Sequence, residues 1–161
     1  MPSTLSDLEY LVQCRRNFVA LVDGLSLEAL NLVPEGFNNN IIWNFGHNIV
    51  VHQMLTYGLS GLPLRVPDEL VATYKKGTKP AAANPATEHE VALLKSLAFS
   101  LLDHFEDDLQ AGIFKQFNTY KTSYGITLNS VDQATRFNLL HENMHLGYAL
   151  ALRRAVLGQL G

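Results

Sequence analysis

The sequence predicts an all-α fold, a four-helix bundle with a long crossover between its second and third helices. Three observations carry this. Four long stretches repeat apolar residues at three- and four-residue steps. Each opens near a capping residue and meets a glycine towards its end. A proline-rich connection over residues 62–85 separates the two middle stretches, and a connection of that length lets two helices run parallel instead of folding back as a hairpin.

In the first helix Leu5, Leu8, Val12, Arg15, Val19 and Val22 share one face, Ser3, Thr4 and Ser6 offer N-caps, and Gly24 stops it. Residues 26–30 read as a short turn-like piece closed by Pro34 and Gly36. The second helix is expected to start in Asn38-Asn39-Asn40, to run through Ile41, Trp43, His47, Val50, Val51, Met54 and Leu55, and to stop near Gly58 or Gly61. One short helix, residues 68–75, is expected within the crossover. Thr87-Glu88-His89-Glu90 matches a capping box, with Thr87 at the cap and Glu90 reaching back. The third helix then buries Val91, Leu94, Ala98, Leu101, Leu102, Phe105 and Leu109 and ends at Gly112. Residues 115–127 are aromatic and β-branched and read as an extended connection. Asn129 or Ser130 caps a fourth helix running to Leu157 and ending at Gly158. There is no internal repeat, and 161 residues suit a single domain over 1–161.

Composition narrows the function classes. Apolar residues make up 47% and charged residues 17%, which is globular and charge-poor. Twelve basic against fifteen acidic residues argue against a broad nucleic-acid footprint. No apolar run approaches the ~18 residues of a membrane span. The first basic residue is Arg15, so no charged leader region is expected, and a cytoplasmic location is. The lone Cys14 excludes an intrachain disulfide and reads as a small buried hydrophobe.

The unusual residue type is histidine. His141-Glu142-Asn143-Met144-His145 puts two imidazoles four residues apart, about 40° apart around a helix, where they can converge on one ion. Literally this is the H-E-x-x-H pattern of metalloproteases. That pattern needs a third ligand downstream, and the sixteen residues after His145 hold no His, Asp, Glu or Cys. The third ligand must lie upstream. His47, in Trp43-Asn44-Phe45-Gly46-His47, sits mid-helix among bulky apolar residues, where an imidazole is costly unless it is hydrogen-bonded or metal-bound. Gly46 beside it makes sense if something packs closely at that turn. Three nitrogen ligands leave positions open for water or substrate, the arrangement of a catalytic site.

Trp43-Asn44-Phe45-Gly46-His47 resembles the W-x-x-G-H signature of the DinB-like (DinB/YfiT) superfamily, and His141-x-x-x-His145-x-Gly147-Tyr148 with Leu152-Arg153-Arg154 resembles its C-terminal H-x-x-x-H helix. The resemblance covers nearly the whole chain. It implies an up-down-down-up bundle and a divalent metal, zinc or nickel, on His47, His141 and His145. Homodimers are common in that family. Its characterised members include S-transferases and isomerases that use low-molecular-weight thiols such as bacillithiol or mycothiol.

The expected function is therefore a metal-dependent S-transferase joining a small-molecule thiol to a small electrophile. A metal-dependent hydrolase and a non-catalytic metal-binding dimerisation module are the alternatives. Glu142 is a candidate general base, with an interhelical ion pair as its other reading. Asn44, Asn138 and Tyr148 share faces with the histidines and are candidates to orient them or to touch substrate. His52 is expected between helices or at the surface, His89 exposed, and His104 structural. Trp43, Phe45, Met54, Phe137 and Met144 are expected in the core. Arg153 and Arg154 either complement the helix dipole or attract an anionic thiol.

Overall fold

The structure, a computed structural model, describes residues 3–161, with side chains from Ser6 onward. The N-caps expected at Ser3 and Thr4, and the buried place expected of Leu5, lie outside the described side chains. The chain forms α1 (Ser3–Asp23), a one-turn α2 (Leu27–Asn31), α3 (Ile41–Gln53) continued by a π-helical turn (Met54–Gly58), a short α4 (Asp68–Tyr74), α5 (Glu88–Gln110) and α6 (Val131–Leu160). A two-stranded antiparallel ribbon, β1 (Tyr120–Lys121) and β2 (Thr127–Leu128), precedes α6 and pairs Tyr120 with Leu128.

The four long helices form the bundle, and their side-chain pairs fix its topology. Asp7 meets Arg136 and Arg15 meets Glu142, so α1 and α6 rise together. Asp23 pairs with Lys95, while Leu8 and Leu11 share a cluster with Phe105, so α5 runs against α1. Asn44 meets His145, while Leu55 packs with Phe137, so α3 runs against α6. His52 meets Phe105 and Tyr57 meets Asp108, so α3 and α5 are parallel, as the crossover requires. The order is up-down-down-up.

The helix starts follow from their caps. Asn40 accepts from the Trp43 amide (2.9 Å), Thr87 from Glu90 (3.2 Å) and Ser130 from Gln133 (3.2 Å), each satisfying a first-turn donor that has no partner within the helix. The capping box at α5 is only half made. Glu90 does not reach back; its carboxylate instead accepts the hydroxyl of Tyr74, a buried phenol that needs an acceptor. Gly112 ends α5 with φ +65°. Gly158 does not end α6, which continues to Leu160. A single helical glycine costs only about 1 kcal/mol, too little to break a ladder that nothing turns aside.

On α1 the buried stripe is Leu8, Leu11, Cys14, Arg15, Phe18, Leu21 and Val22, with Val12 and Val19 only half-buried at its edge. The expected face is thus rotated towards Leu11 and Phe18, because α1 is covered by both α5 and α6 and needs the wider stripe.

Candidate metal centre

The site forms where α3 and α6 cross. Asn40 starts α3 so that His47 lies two turns in, facing α6, and the four-residue step on α6 stacks His141 and His145 on the facing side. The ring centroids are 4.5 Å apart for His141–His145, 4.7 Å for His47–His145 and 5.2 Å for His47–His141. One nitrogen from each ring lies within 4.8 Å of the others. The sequence placed these three together and the structure brings them together.

Their hydrogen bonds fix which nitrogen is free. His47 Nδ1 donates to the Tyr74 carbonyl (2.7 Å) and His145 Nδ1 donates to Asn44 Oδ1 (2.7 Å). The Asn44 amide cannot be reversed, because its Nδ2 donates to Asn39 Oδ1 and the Asn40 carbonyl. Both acceptors require the proton on Nδ1, so Nε2 of each ring keeps its lone pair. His141 Nδ1 is buried with no partner among the described residues. Three neighbouring rings that each bring one nitrogen to a common point, two of them with Nε2 left free, form a donor set that fits one divalent ion.

The electrostatics agree. Burial, followed by the neighbouring imidazoles, lowers His141 to about 4 and His145 to about 3. Burial lowers His47 as well, against the opposing effect of its bond to Tyr74. All three rings are therefore neutral at pH 7, the form that binds metal.

Gly46 explains the turn before His47. A Cβ there would lie 2.6–2.7 Å from three carbons of the Tyr74 ring. The glycine lets α4 approach so closely that the Tyr74 carbonyl reaches His47. Trp43 stacks on the His47 ring at 4.6 Å and 16°, and its indole N–H donates to Thr78 Oγ1 (3.1 Å). Trp43 and Gly46 thus both act on the one imidazole of His47.

A cavity of about 300 Å³ opens onto the three histidines. Its walls are apolar, from Val51, Met54, Leu55, Leu59, Phe137 and Met144. Its rim carries Lys76 from the crossover and Tyr120, Thr122, Ser123 and Tyr124 from the ribbon. Nothing in the local sequence of these rim residues signalled the site, because only the folding of two connections brings them over it. Met144, expected in the core, is exposed at this cavity, where it accepts the Tyr124 hydroxyl.

The structure disposes of the other candidates differently. Glu142 is completely buried in an ion pair: Arg15 Nη2 donates to Oε1 (2.8 Å) and Arg15 Nε to Oε2 (3.2 Å), while Asn138 Nδ2 donates to Oε1 (2.7 Å). The general-base expectation gives way to the interhelical ion pair, because both carboxylate oxygens are engaged and Glu142 does not line the cavity. Asn138 serves that pair and, among the described residues, hydrogen-bonds to none of the three histidines. Tyr148 packs edge-on against Phe37 at 5.7 Å instead of facing the site. Two turns beyond His141 is about 10 Å along the axis, too far for a shared centre. Of the three polar candidates, Asn44 alone orients a histidine.

His52 lies between helices, fully buried against Phe105 with neither ring nitrogen partnered among the described residues, and burial, followed by Arg15, holds it well below the usual histidine range. His89 and His104 are exposed. Burial, followed by Glu142, pushes the Cys14 thiol up to about 12. Arg153 and Arg154 are exposed near the end of α6 and do not line the cavity. No helix among the described residues is long and apolar enough to cross a membrane.

Comparison with known proteins agrees with this fold. A crystal structure of a conserved protein from Enterococcus faecalis has a similar fold, with a TM-score of 0.69 over 98% of this chain and 99% of that one at 13% identity. No curated protein matches the sequence. The sequence profile of the DinB superfamily matches residues 10–149, and the chain belongs to that superfamily.

Proposed function

We propose that the protein is a divalent-metal-dependent S-transferase that joins a small-molecule thiol to a small electrophile. The observation that carries this reading is three neutral imidazoles converging on an apolar cavity whose lining, among the described residues, holds no carboxylate. A zinc or nickel ion held by His47, His141 and His145 would supply the Lewis acidity that lowers the pKa of a thiol. A thiol starts near pKa ~8.5, so modest help ionises it at neutral pH. Water starts near ~15.7, and hydrolysis gains most from a positioned base. Glu142 is spent on Arg15, which favours the transferase over the hydrolase.

The chain's own groups do the rest. The Tyr74 carbonyl and Asn44 set the two Nδ1 protons, and Trp43 holds the His47 ring in plane. Phe137, Leu55 and Met54 exclude water and offer an apolar surface to the electrophile. The raised, buried Cys14 thiol is no nucleophile, so the reacting thiol arrives with the substrate. A cytoplasmic setting, where such thiols stay reduced, belongs to this reading. So does a homodimer through exposed apolar residues of α6 such as Leu140, Leu150 and Leu157, which sedimentation would detect.

The test has two stages. Protein purified without a metal-affinity tag should carry or take up about one divalent ion per chain. Loaded protein should then accelerate conjugation of a low-molecular-weight thiol to a model electrophile. Failure to bind zinc or nickel would sink the reading. Metal binding with no conjugation across a panel of thiols would leave the non-catalytic binding module.

A further inference from the structure

Beyond Asp68 and Glu69, the two connections that reach the cavity differ in charge from the rest of the chain. Residues 70–87 and 109–131 hold no acidic residue, and between them they carry five of the six lysines, Lys75, Lys76, Lys79, Lys115 and Lys121. Everything else holds seven basic against fifteen acidic residues. Lys76 itself lines the cavity, and its neighbours in the lining Tyr120 and Ser123 offer hydroxyl groups, while that of Tyr124 is turned to Met144. No carboxylate among the described lining residues competes for it.

We infer that the cavity selects an anionic small molecule, whose carboxylate or phosphate meets Lys76 at the rim while its apolar body lies along Leu55 and Phe137. This deepens the proposed function by naming the class of substrate, and it rests on that reading for the chemistry but not for the binding. The physical argument is local. A cation at the mouth of a low-dielectric cleft focuses the field and raises the local concentration of counter-charged ligand. A lysine suits this better than an arginine where the anion is a single charged group to be met at a point. The apolar wall supplies affinity without regard to charge, so the choice between an acid and its neutral isostere falls to the rim.

The experiment compares matched probes that differ only in charge. Binding of phenylacetate and phenylacetamide to metal-free protein is followed by NMR, and binding of 3-mercaptopropionate and 3-mercaptopropionamide to cobalt-loaded protein by sulfur-to-cobalt absorption. The acid of each pair should bind several-fold to about tenfold more tightly at low salt, and the advantage should shrink in 0.5 M NaCl. Lys76→Gln should remove the advantage while leaving the amides unchanged, and Lys76→Glu should invert it. Lys95→Gln, on the far side of the bundle, should do neither.

Equal binding of acid and amide by the wild type would overturn the inference. So would an advantage that survives Lys76→Gln, or one that Lys95→Gln removes equally, since general charge would then be responsible. The metal-free arm separates this from the proposed reaction. If cobalt fails to load but phenylacetate is still preferred through Lys76, the metal reading falls and the anion site stands.

Discussion

Gly46→Ala tests whether the turn before His47 is built around Tyr74. The added methyl would sit 2.6–2.7 Å from three ring carbons, so the ring must retreat by about 0.8 Å to reach an ordinary carbon contact. It has little room: Tyr74 is 2% exposed, and its hydroxyl is tied to the Glu90 carboxylate. Overpacking of this kind costs about 1–3 kcal/mol, against about 1 kcal/mol gained by replacing a helical glycine. A net loss of stability of up to about 2 kcal/mol follows. The larger effect falls on metal. Moving Tyr74 stretches its 2.7 Å bond from His47 Nδ1, and losing such a partner typically costs 10- to 100-fold in metal affinity. The assay is zinc affinity by chelator competition alongside thermal unfolding of the metal-free protein. Gly147→Ala is the control, because a Cβ there meets nothing within 4 Å. It should stabilise by up to about 1 kcal/mol and leave zinc affinity alone. If Gly46→Ala behaves like Gly147→Ala in both readouts, the close-approach argument is wrong.

Three further outcomes are expected. Asn44→Ala strands the His145 Nδ1 proton, so zinc affinity should fall 10- to 100-fold while His145 remains a ligand; unchanged affinity would mean that Asn44 does not orient the ring. Glu142→Gln leaves the buried Arg15 charge uncompensated and should cost roughly 3–5 kcal/mol, whereas the paired change Arg15→Met with Glu142→Leu should recover most of it; denaturant melts that rank the two the other way would refute the ion-pair account. The third concerns pH in the metal-free protein. His141 and His145 titrate at about 4 and 3, below the ordinary 6.5, so the unfolded chain takes up protons first. The stability that depends on neutral rings is fully present above pH 6.5, is lost progressively as pH falls from there, and is gone once pH has passed through about 4 to 3. Melting temperature should decline across that window, and the double variant His141→Ala, His145→Ala should decline less steeply; parallel slopes would assign the loss to other groups.

What the sequence made legible was local. Asn40, Thr87 and Ser130 each cap an amide three residues on, so composition and position suffice to find them. The His141/His145 pair is legible because four residues is one turn, and His47 because an imidazole amid Ile, Trp and Phe demands a reason. Distant or backbone interactions left no such mark. Arg15 finds Glu142 across 127 positions: the sequence set Arg15 on the apolar face of α1 and allowed Glu142 an interhelical ion pair, but nothing local matched the two. The group that orients His47 is a carbonyl, which every residue has, so Tyr74 could not be singled out. Met144 shows a third limit: apolar periodicity reports burial against something, and a cavity wall scores like a core. The Thr87–Glu90 pattern failed at Glu90 because a tertiary partner, the Tyr74 hydroxyl, outcompeted the local one.

The buried polar layer beneath the metal centre needs an explanation that stability alone does not give. An Arg–Glu pair exposed by only 2% and 1% is no more stabilising than well-packed apolar residues of similar size. Its position suggests what it contributes. Arg15 ties α1 to Glu142 and to the Ala98 carbonyl of α5, and Asn48 Nδ2 lies 3.4 Å from the Glu142 carbonyl. All four bundle helices are therefore joined at the one α6 turn that lies between His141 and His145. Apolar packing tolerates small rotations of a helix, because one leucine substitutes for another in a groove. A bidentate ion pair does not. A rotation of one residue, about 100°, would swing His141 and His145 off the cavity and strand a buried charge in the same movement. The ion pair thus penalises the misalignments that would dismantle the metal centre, which links a costly element of the core to the site above it.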